Sequence, residues 1–327
     1  MTTVPLRHPD SPWPARWSVL QLVAILATVA LLAGMIVQPD VSLRLLWYVA
    51  IPILPATFFV NTAIWRNICP LATLNAWGNK IGRQRTLSQS VAGLLGIGGL
   101  VLFHLMVPAR RFLFNSDGTA LAVTVAAVGL LAVWLGAVYA VRSAFCNALC
   151  PVLPVELLYG QAPLADMARG RCATCTTCTP RGCLDLAQAR ALPQLFGRHR
   201  QSMAWLAEPR GIFMAALPGF IVGYSLLQDG SLRTAPLVYA TTLGWSLASV
   251  LIVVALTRAF RLRSEAVLVL LAATAGLLYY WFAGPAIATA FAARESLALA
   301  VRVAGMGLVT YWLIRAWRSL PSISSPI

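Results

Sequence analysis

Residues 119–141 read TALAVTVAAVGLLAVWLGAVYAV, a run without a single charged side chain. A helix of this length can cross a hydrocarbon core about 30 Å thick while all its backbone polar groups bond internally. Other apolar runs have comparable length, so the sequence predicts an all-α polytopic membrane protein with about eight transmembrane helices. The predicted spans are 17–37, 43–61, 88–108, 119–141, 211–228, 236–257, 265–291 and 296–315.

The basic residues predict how these spans are oriented. With the N-terminus in the cytoplasm, nineteen of the 25 lysines and arginines fall in cytoplasmic segments and five in outside loops. This asymmetry favours an N-in, C-in topology in a bacterial inner membrane. The formal charge of +15 then reflects membrane topology, and the sequence predicts no nucleic-acid partner.

The span pattern divides the chain into three segments. Residues 1–142 form a four-helix membrane unit, 143–210 a small cytoplasmic cap between spans 4 and 5, and 211–327 a second four-helix unit. A basic, aromatic tract in the cap has two interpretations, a segment that lies along lipid headgroups or a solvated basic loop. Its residues are Phe196, Arg198, Arg200 and Trp205.

The cap contains a run of closely spaced cysteines. Residues 171–183 read RCATCTTCTPRGC, which is C-x2-C-x2-C-x4-C. Two-residue gaps let a tight loop wrap a cubane, as in bacterial ferredoxins, so the run predicts a [4Fe–4S] cluster on Cys172, Cys175, Cys178 and Cys183. Structural zinc is the alternative, although zinc sites usually separate two C-x2-C knuckles. A cytoplasmic location argues against disulfides.

A short internal repeat precedes the cysteine run. Residues 65–70 read WRNICP and residues 146–151 read CNALCP; an aromatic-glycine pair follows each, at 77–78 and 159–160. The two segments fall at equivalent points of the first two helix pairs. They predict a duplicated unit of two helices joined by a Cys-Pro elbow.

On these residues the chain resembles the NapH/NosR-type membrane polyferredoxins, which accompany periplasmic nitrate reductase and nitrous-oxide reductase. The resemblance covers about residues 40–185. Cys146, Cys150 and Pro151 match the family's C-x3-C-P motif, whereas Trp65 occupies the first cysteine position of the other elbow. The resemblance implies iron–sulfur clusters, an electron-transfer role and elbows at the cytoplasmic ends of helices.

The ligand set has two interpretations. Either the four cysteines of the run hold the cluster, or Cys150, which precedes a proline, replaces Cys183. The elbow cysteines Cys69, Cys146 and Cys150 form a second metal site or only pack in the protein. Seven cysteines are one short of two clusters ligated entirely by cysteine.

The favoured function is a [4Fe–4S] electron-transfer component, not a stand-alone catalyst, that connects a quinone pool or cytoplasmic donor with a redox partner protein or complex subunit. The alternatives are a maturation factor for a respiratory metalloenzyme, or a zinc-binding membrane scaffold or transporter. His104 and Arg302 are predicted to lie within spans, where they would either border a quinone or have structural roles.

Overall fold

The computed structural model describes residues 14–83, 85–139, 144–165 and 203–320. Within these ranges the chain forms eleven α-helices and several short π- and 3₁₀-helical turns. The α-helices are α1 (Pro14–Val37), α2 (Pro39–Leu45), α3 (Ile51–Ile68), α4 (Pro70–Ile81), α5 (Gln89–Ala109), α6 (Gly118–Val138), α7 (Leu153–Tyr159), α8 (Pro209–Leu226), α9 (Ala235–Phe260), α10 (Ser264–Ala290) and α11 (Glu295–Arg318).

Seven helical segments are long and apolar enough to cross a membrane, which agrees with the predicted all-α, multi-pass fold. The second of them is longer than the predicted span 43–61, because α2, a π-helical turn and α3 join into one segment. The seven are Ser18–Val37, Pro39–Ile68, Gln89–Phe114, Gly118–Val138, Leu232–Phe260, Ser264–Ala290 and Glu295–Arg318.

Helix α8, which corresponds to the predicted span 211–228, is not among these seven segments. It is only 18 residues long and carries Arg210 in its first turn. It nevertheless lies antiparallel to α9, because Gly219 faces the carbonyl of Trp245 and Gly223 faces that of Thr241. Most of its side chains are buried by other helices, so α8 forms part of the protein interior.

Alternate helix ends meet in one apolar cluster, as expected of a chain that crosses repeatedly. The cluster includes Met35 near the end of α1, Leu43 in α2, Phe112 after α5, Leu121 near the start of α6 and Val238 near the start of α9. We call this end of the bundle the distal end. The opposite, proximal end holds the start of α1, the ends of α6, α9 and α11, and the start of α10.

Helices α4 and α6 pack at backbone distance because small residues line both of them. A Cβ at Gly136 would lie 2.1 Å from the carbonyl oxygen of Asn75, and one at Gly78 would lie 2.1 Å from that of Val133. The Asn75 side-chain amide donates to the carbonyl of Ala132 at 2.7 Å. Such close approach with interhelical hydrogen bonds is how membrane helices associate without a hydrophobic driving force.

We predict that Gly136→Ala destabilises the protein by about 1–3 kcal/mol, because the added methyl group must displace the backbone of α4. Gly244→Ala is the matched control, since nothing lies within 4 Å of a Cβ at this position in α9. Thermal unfolding of both variants in the same detergent measures the difference. Equal melting temperatures would contradict the packing.

Candidate functional site

The two Cys-Pro elbows have the same backbone conformation. Cys69 has φ −56° and ψ 124°, and Cys150 has φ −57° and ψ 121°. A following proline excludes the helical region for the residue before it, so each cysteine ends a helix in an extended conformation. Cys69 ends α3, and Cys150 ends the π-helix Phe145–Leu149. This match agrees with the short sequence repeat.

The second elbow lies alongside the middle of α5, and the first lies alongside the early turns of α1. A Cβ at Gly99, the central residue of α5, would lie 2.7 Å from the carbonyl oxygen of Leu149. On the other elbow, the carbonyl of Asn67 accepts a hydrogen bond from the Gln21 side chain of α1 at 2.9 Å. Each cysteine ends its own helix, as the resemblance implies, and the cytoplasmic location of the elbows stays a prediction. Buried, irregular backbone of this kind is tolerated inside a membrane protein because protein groups satisfy it.

Helix α3 is interrupted at Asn61, which has φ −171° and ψ 123°. The Asn61 side chain caps the following turn by accepting from the backbone N–H of Ala63 at 2.8 Å. It also donates to the carbonyl of Ala165 at 2.8 Å. The break in α3 therefore allows the segment that follows the second elbow to form hydrogen bonds with the backbone and the Asn61 side chain of α3.

That bound segment ends at Ala165, seven positions before Cys172, the first cysteine of the run. The backbone N–H groups of Leu164 and Ala165 donate to the carbonyls of Phe59 and Val60, which the break in α3 leaves available, at 3.1 and 3.0 Å. Arg315 of α11 donates to the carbonyl of Leu164. The chain therefore leaves its last described position before the run, Ala165, from a fixed point between α3 and α11.

A buried polar network joins the two elbows. Arg66, 4% exposed, lies three residues before Cys69. Its Nε donates to Glu156 Oε1 at 2.6 Å, and one terminal nitrogen donates to Asn147 Oδ1 at 2.8 Å. Arg66 and Asn147 occupy equivalent positions of the repeat, so corresponding residues of the two elbows contact each other. Because a buried charge without a partner is costly, this network constrains the elbows to one arrangement.

Two of the three elbow cysteines lie near each other. Burial raises the pKa of the Cys150 thiol to about 12, and the charges of Cys69 and Glu156 add to the effect, whereas the Val152 backbone and Arg66 oppose it. The influence of Cys69 reflects the proximity of the two side chains. Cys146 instead packs in a separate apolar cluster with Phe145 and Leu149. The elbow cysteines are thiols.

The predicted metal ligands are only partly within the described ranges. Cys172, Cys175, Cys178 and Cys183 lie outside them, so the main cluster site stays a prediction. Among the residues that the structure describes, no three Cys, His, Asp or Glu side chains form a group able to hold a metal ion. Cys69, Cys146 and Cys150 alone therefore do not make a complete site there, and a second cluster also stays a prediction.

The donor chemistry of the elbows nevertheless fits an iron–sulfur centre. Cys69 is the N-cap residue of the 12-residue helix α4, where the helix dipole favours a thiolate. The buried Asn147 Nδ2 has no hydrogen-bond partner within the described ranges. Amide donors of this kind bond to cluster sulfur and tune the reduction potential.

His104 and Arg302 have structural partners. His104 Nδ1 lies 2.9 Å from the carbonyl of Leu100, one turn earlier in α5, and its ring contacts Phe213 and Phe220. Arg302 donates to the carbonyl of Trp281 at 2.8 Å and lies over its ring. His104 therefore contacts α8, and Arg302 contacts α10. These contacts do not define a shared quinone pocket.

The sequence interpretation missed several buried polar side chains that form interhelical hydrogen bonds. It placed Arg110 in an outside loop, but Arg110 is buried and donates to the hydroxyls of Tyr224 and Tyr48, each at 2.9 Å. It also assigned no role to Glu156 or Asn61. An available signal was the isolated acidic residue in the apolar segment 152–159, because such a residue requires a buried partner.

We predict that Arg66→Gln or Glu156→Gln alone destabilises the protein by about 3–5 kcal/mol, since each leaves one buried charge unpaired. The double variant should lose much less than the sum of the two. Thermal unfolding of the three variants measures the interaction energy between Arg66 and Glu156, which is the difference between the double variant's loss and the sum of the single losses. The control is Arg263→Gln, which removes the more exposed ion pair with Glu265 and should cost at most about 1 kcal/mol. Additive losses would contradict a direct Arg66–Glu156 interaction.

Comparisons with known proteins provide no assignment for this site. No family model, curated protein or solved structure matches the chain. The resemblance to the membrane polyferredoxins therefore rests on the Cys-Pro elbows and the cysteine run alone. The site is defined by its own residues: two Cys-Pro elbows that meet through Arg66, and the segment Leu164–Ala165, which is bound to α3 and precedes the cysteine run in sequence.

Proposed function

We propose that this protein is a membrane-bound [4Fe–4S] electron-transfer component of a bacterial inner membrane, with its N- and C-termini and its cysteine run in the cytoplasm. Cys172, Cys175, Cys178 and Cys183 would hold the cluster. When bound, the cluster would supply one-electron transfer between a quinone pool or cytoplasmic donor and a redox partner. The proposed orientation follows the positive-inside rule.

The convergence of the two elbows, together with the binding of Leu164 and Ala165 to α3 shortly before the run in sequence, is the observation that carries this proposal. Ala165 is bound to α3 only seven positions before Cys172, and Cys69 lies near Cys150 within the same set of helices. A segment of this length spans at most about 25 Å. The run can therefore lie close to the elbows, where Arg66 and Asn147 could act on a cluster held by the contiguous ligand set; this reach excludes neither ligand set.

The described residues would support such a centre in three ways. Arg66 is a buried cation beside Cys150, and a nearby positive charge favours the reduced, more negative cluster. Asn147 offers an amide donor. The buried aromatic residues around the second elbow, including Phe59 and Tyr159, exclude water, and low solvent exposure also tunes the potential of a cluster.

A transporter is the second candidate, because the elbows also favour it. Helices interrupted near the middle of a bundle, with a buried ion pair beside them, are typical of substrate sites in transporters. On that interpretation the cysteine run would bind structural zinc. A maturation factor for a metalloenzyme would have the same cluster as the main proposal, and only its partner would differ.

We predict that Cys175→Ala removes most of the iron and acid-labile sulfide from anaerobically purified protein. The control is Thr176→Ala, which changes the neighbouring side chain without removing a thiolate. The helical bundle should remain, because its stability comes from helix packing. Unchanged iron and sulfide in Cys175→Ala would refute the proposed ligand set, and zinc in wild-type protein would favour the transporter.

We predict further that Cys183→Ser destroys the cluster and that Cys150→Ser spares it, as the contiguous ligand set requires. Burial raises the pKa of the Cys150 thiol to about 12, which disfavours the thiolate form that binds iron. Iron content and the low-temperature paramagnetic resonance spectrum of both variants measure this. The reverse pattern would assign the fourth ligand to Cys150 instead.

A further inference from the structure

We propose that a cleft where α9 meets α10, at the proximal end of the bundle, binds the phosphate group of an anionic phospholipid. The cleft has a volume of about 320 Å³ and is half open. This site is separate from the elbows and from the proposed electron transfer. Its lining residues are Met203, Trp205, Thr257, Arg258, Arg261, Leu262 and Ser264.

A buried hydroxyl and two arginines give the cleft its chemistry. Thr257 is 95% buried, and its Oγ1 has no hydrogen-bond partner in the described part of the chain. A buried, unsatisfied hydroxyl is costly unless a ligand or water completes its bonding. The exposed guanidinium groups of Arg258 and Arg261 line the same cleft. One donor hydroxyl with two arginines matches a phosphate group.

The backbone around the cleft is arranged to accept negative charge. Helix α10 starts at Ser264, so the positive end of a 27-residue helix lies at the cleft. At the negative end of α9, the backbone caps the carbonyl of Thr257. Arg261 adopts the left-handed conformation, with φ 48° and ψ 42°, and both it and Leu262 donate backbone N–H bonds to the carbonyl of Thr257.

The nearby acidic charge does not cancel this arrangement. Glu265 lies in the first turn of α10, but its carboxylate is paired with Arg263 at 3.2 Å. The phosphate would therefore interact with Arg258 and Arg261, while Glu265 retains its own partner.

The surroundings favour a lipid over a free phosphate ion. Phe260 and Leu256 on α9 are exposed apolar residues next to the arginines, and Leu262 lines the cleft itself. These side chains would contact acyl chains while the arginines hold the headgroup. Basic pockets between transmembrane helices commonly bind anionic headgroups in this way. Trp205, one of the residues considered for a headgroup contact, is instead 99% buried and lines the cleft.

The test uses full-length protein in a neutral detergent. Its melting temperature is titrated with dioleoyl phosphatidylglycerol, dioleoyl phosphatidylcholine or inorganic phosphate, and native mass spectrometry counts retained lipid. The variant is Arg258→Gln with Arg261→Asn, since asparagine tolerates the left-handed conformation. The control is Arg233→Gln with Arg294→Gln, which removes the same charge from exposed turns at the distal end. Thr257→Val tests the hydroxyl with little change of shape.

We expect phosphatidylglycerol to stabilise the wild type and the control, and to bind the Arg258/Arg261 variant at least roughly tenfold more weakly. Thr257→Val should weaken the binding of phosphatidylglycerol less than the arginine variant does, and phosphatidylcholine should change the melting temperature little. Equal stabilisation by both lipids, or an unchanged response in the Arg258/Arg261 variant, would overturn the proposal. Stabilisation by inorganic phosphate alone, lost in that variant and with no further gain from phosphatidylglycerol, would replace the lipid with a free phosphate.

Discussion

The Arg66 guanidinium is the interaction on which the rest of the candidate site depends. It is buried between two turns of chain that are 81 and 90 residues away in sequence, where it bonds to Asn147 and Glu156. A charge removed from water at this position is stable only while both partners remain. Arg66 therefore holds the two elbows together, and with them Cys69, Cys150 and the segment that leads to the cysteine run.

The sequence was sufficient to predict those features of the structure that a local pattern of residues determines. The uncharged run at 119–141 predicted helix α6 to within a few residues at its ends, since a membrane span needs only length and apolarity. The Cys-Pro dipeptides located both elbows, because proline restricts the residue before it regardless of context. Helix α8 was less predictable. Its glycines, Pro218 and Arg210 lower its apolarity, and neighbouring helices bury it.

The remaining features depend on tertiary contacts that no local pattern encodes. Asn61 breaks α3 in the middle of an apolar segment, and only the bound segment Leu164–Ala165 explains the break. Arg110 looked like a loop residue, yet Tyr48 and Tyr224 bury it. The position of the second elbow follows from Gly99, which lets Leu149 approach the backbone of α5. Each case requires two residues that are far apart in sequence.

Metal analysis with low-temperature paramagnetic resonance of anaerobically purified, full-length protein tests the central claim most directly. The account predicts about four iron atoms and four acid-labile sulfides per chain, with a paramagnetic signal that changes on reduction. If the protein instead carried zinc, without iron, sulfide or a redox-dependent signal, the electron-transfer account would be wrong. The elbows would then belong to a scaffold or transporter.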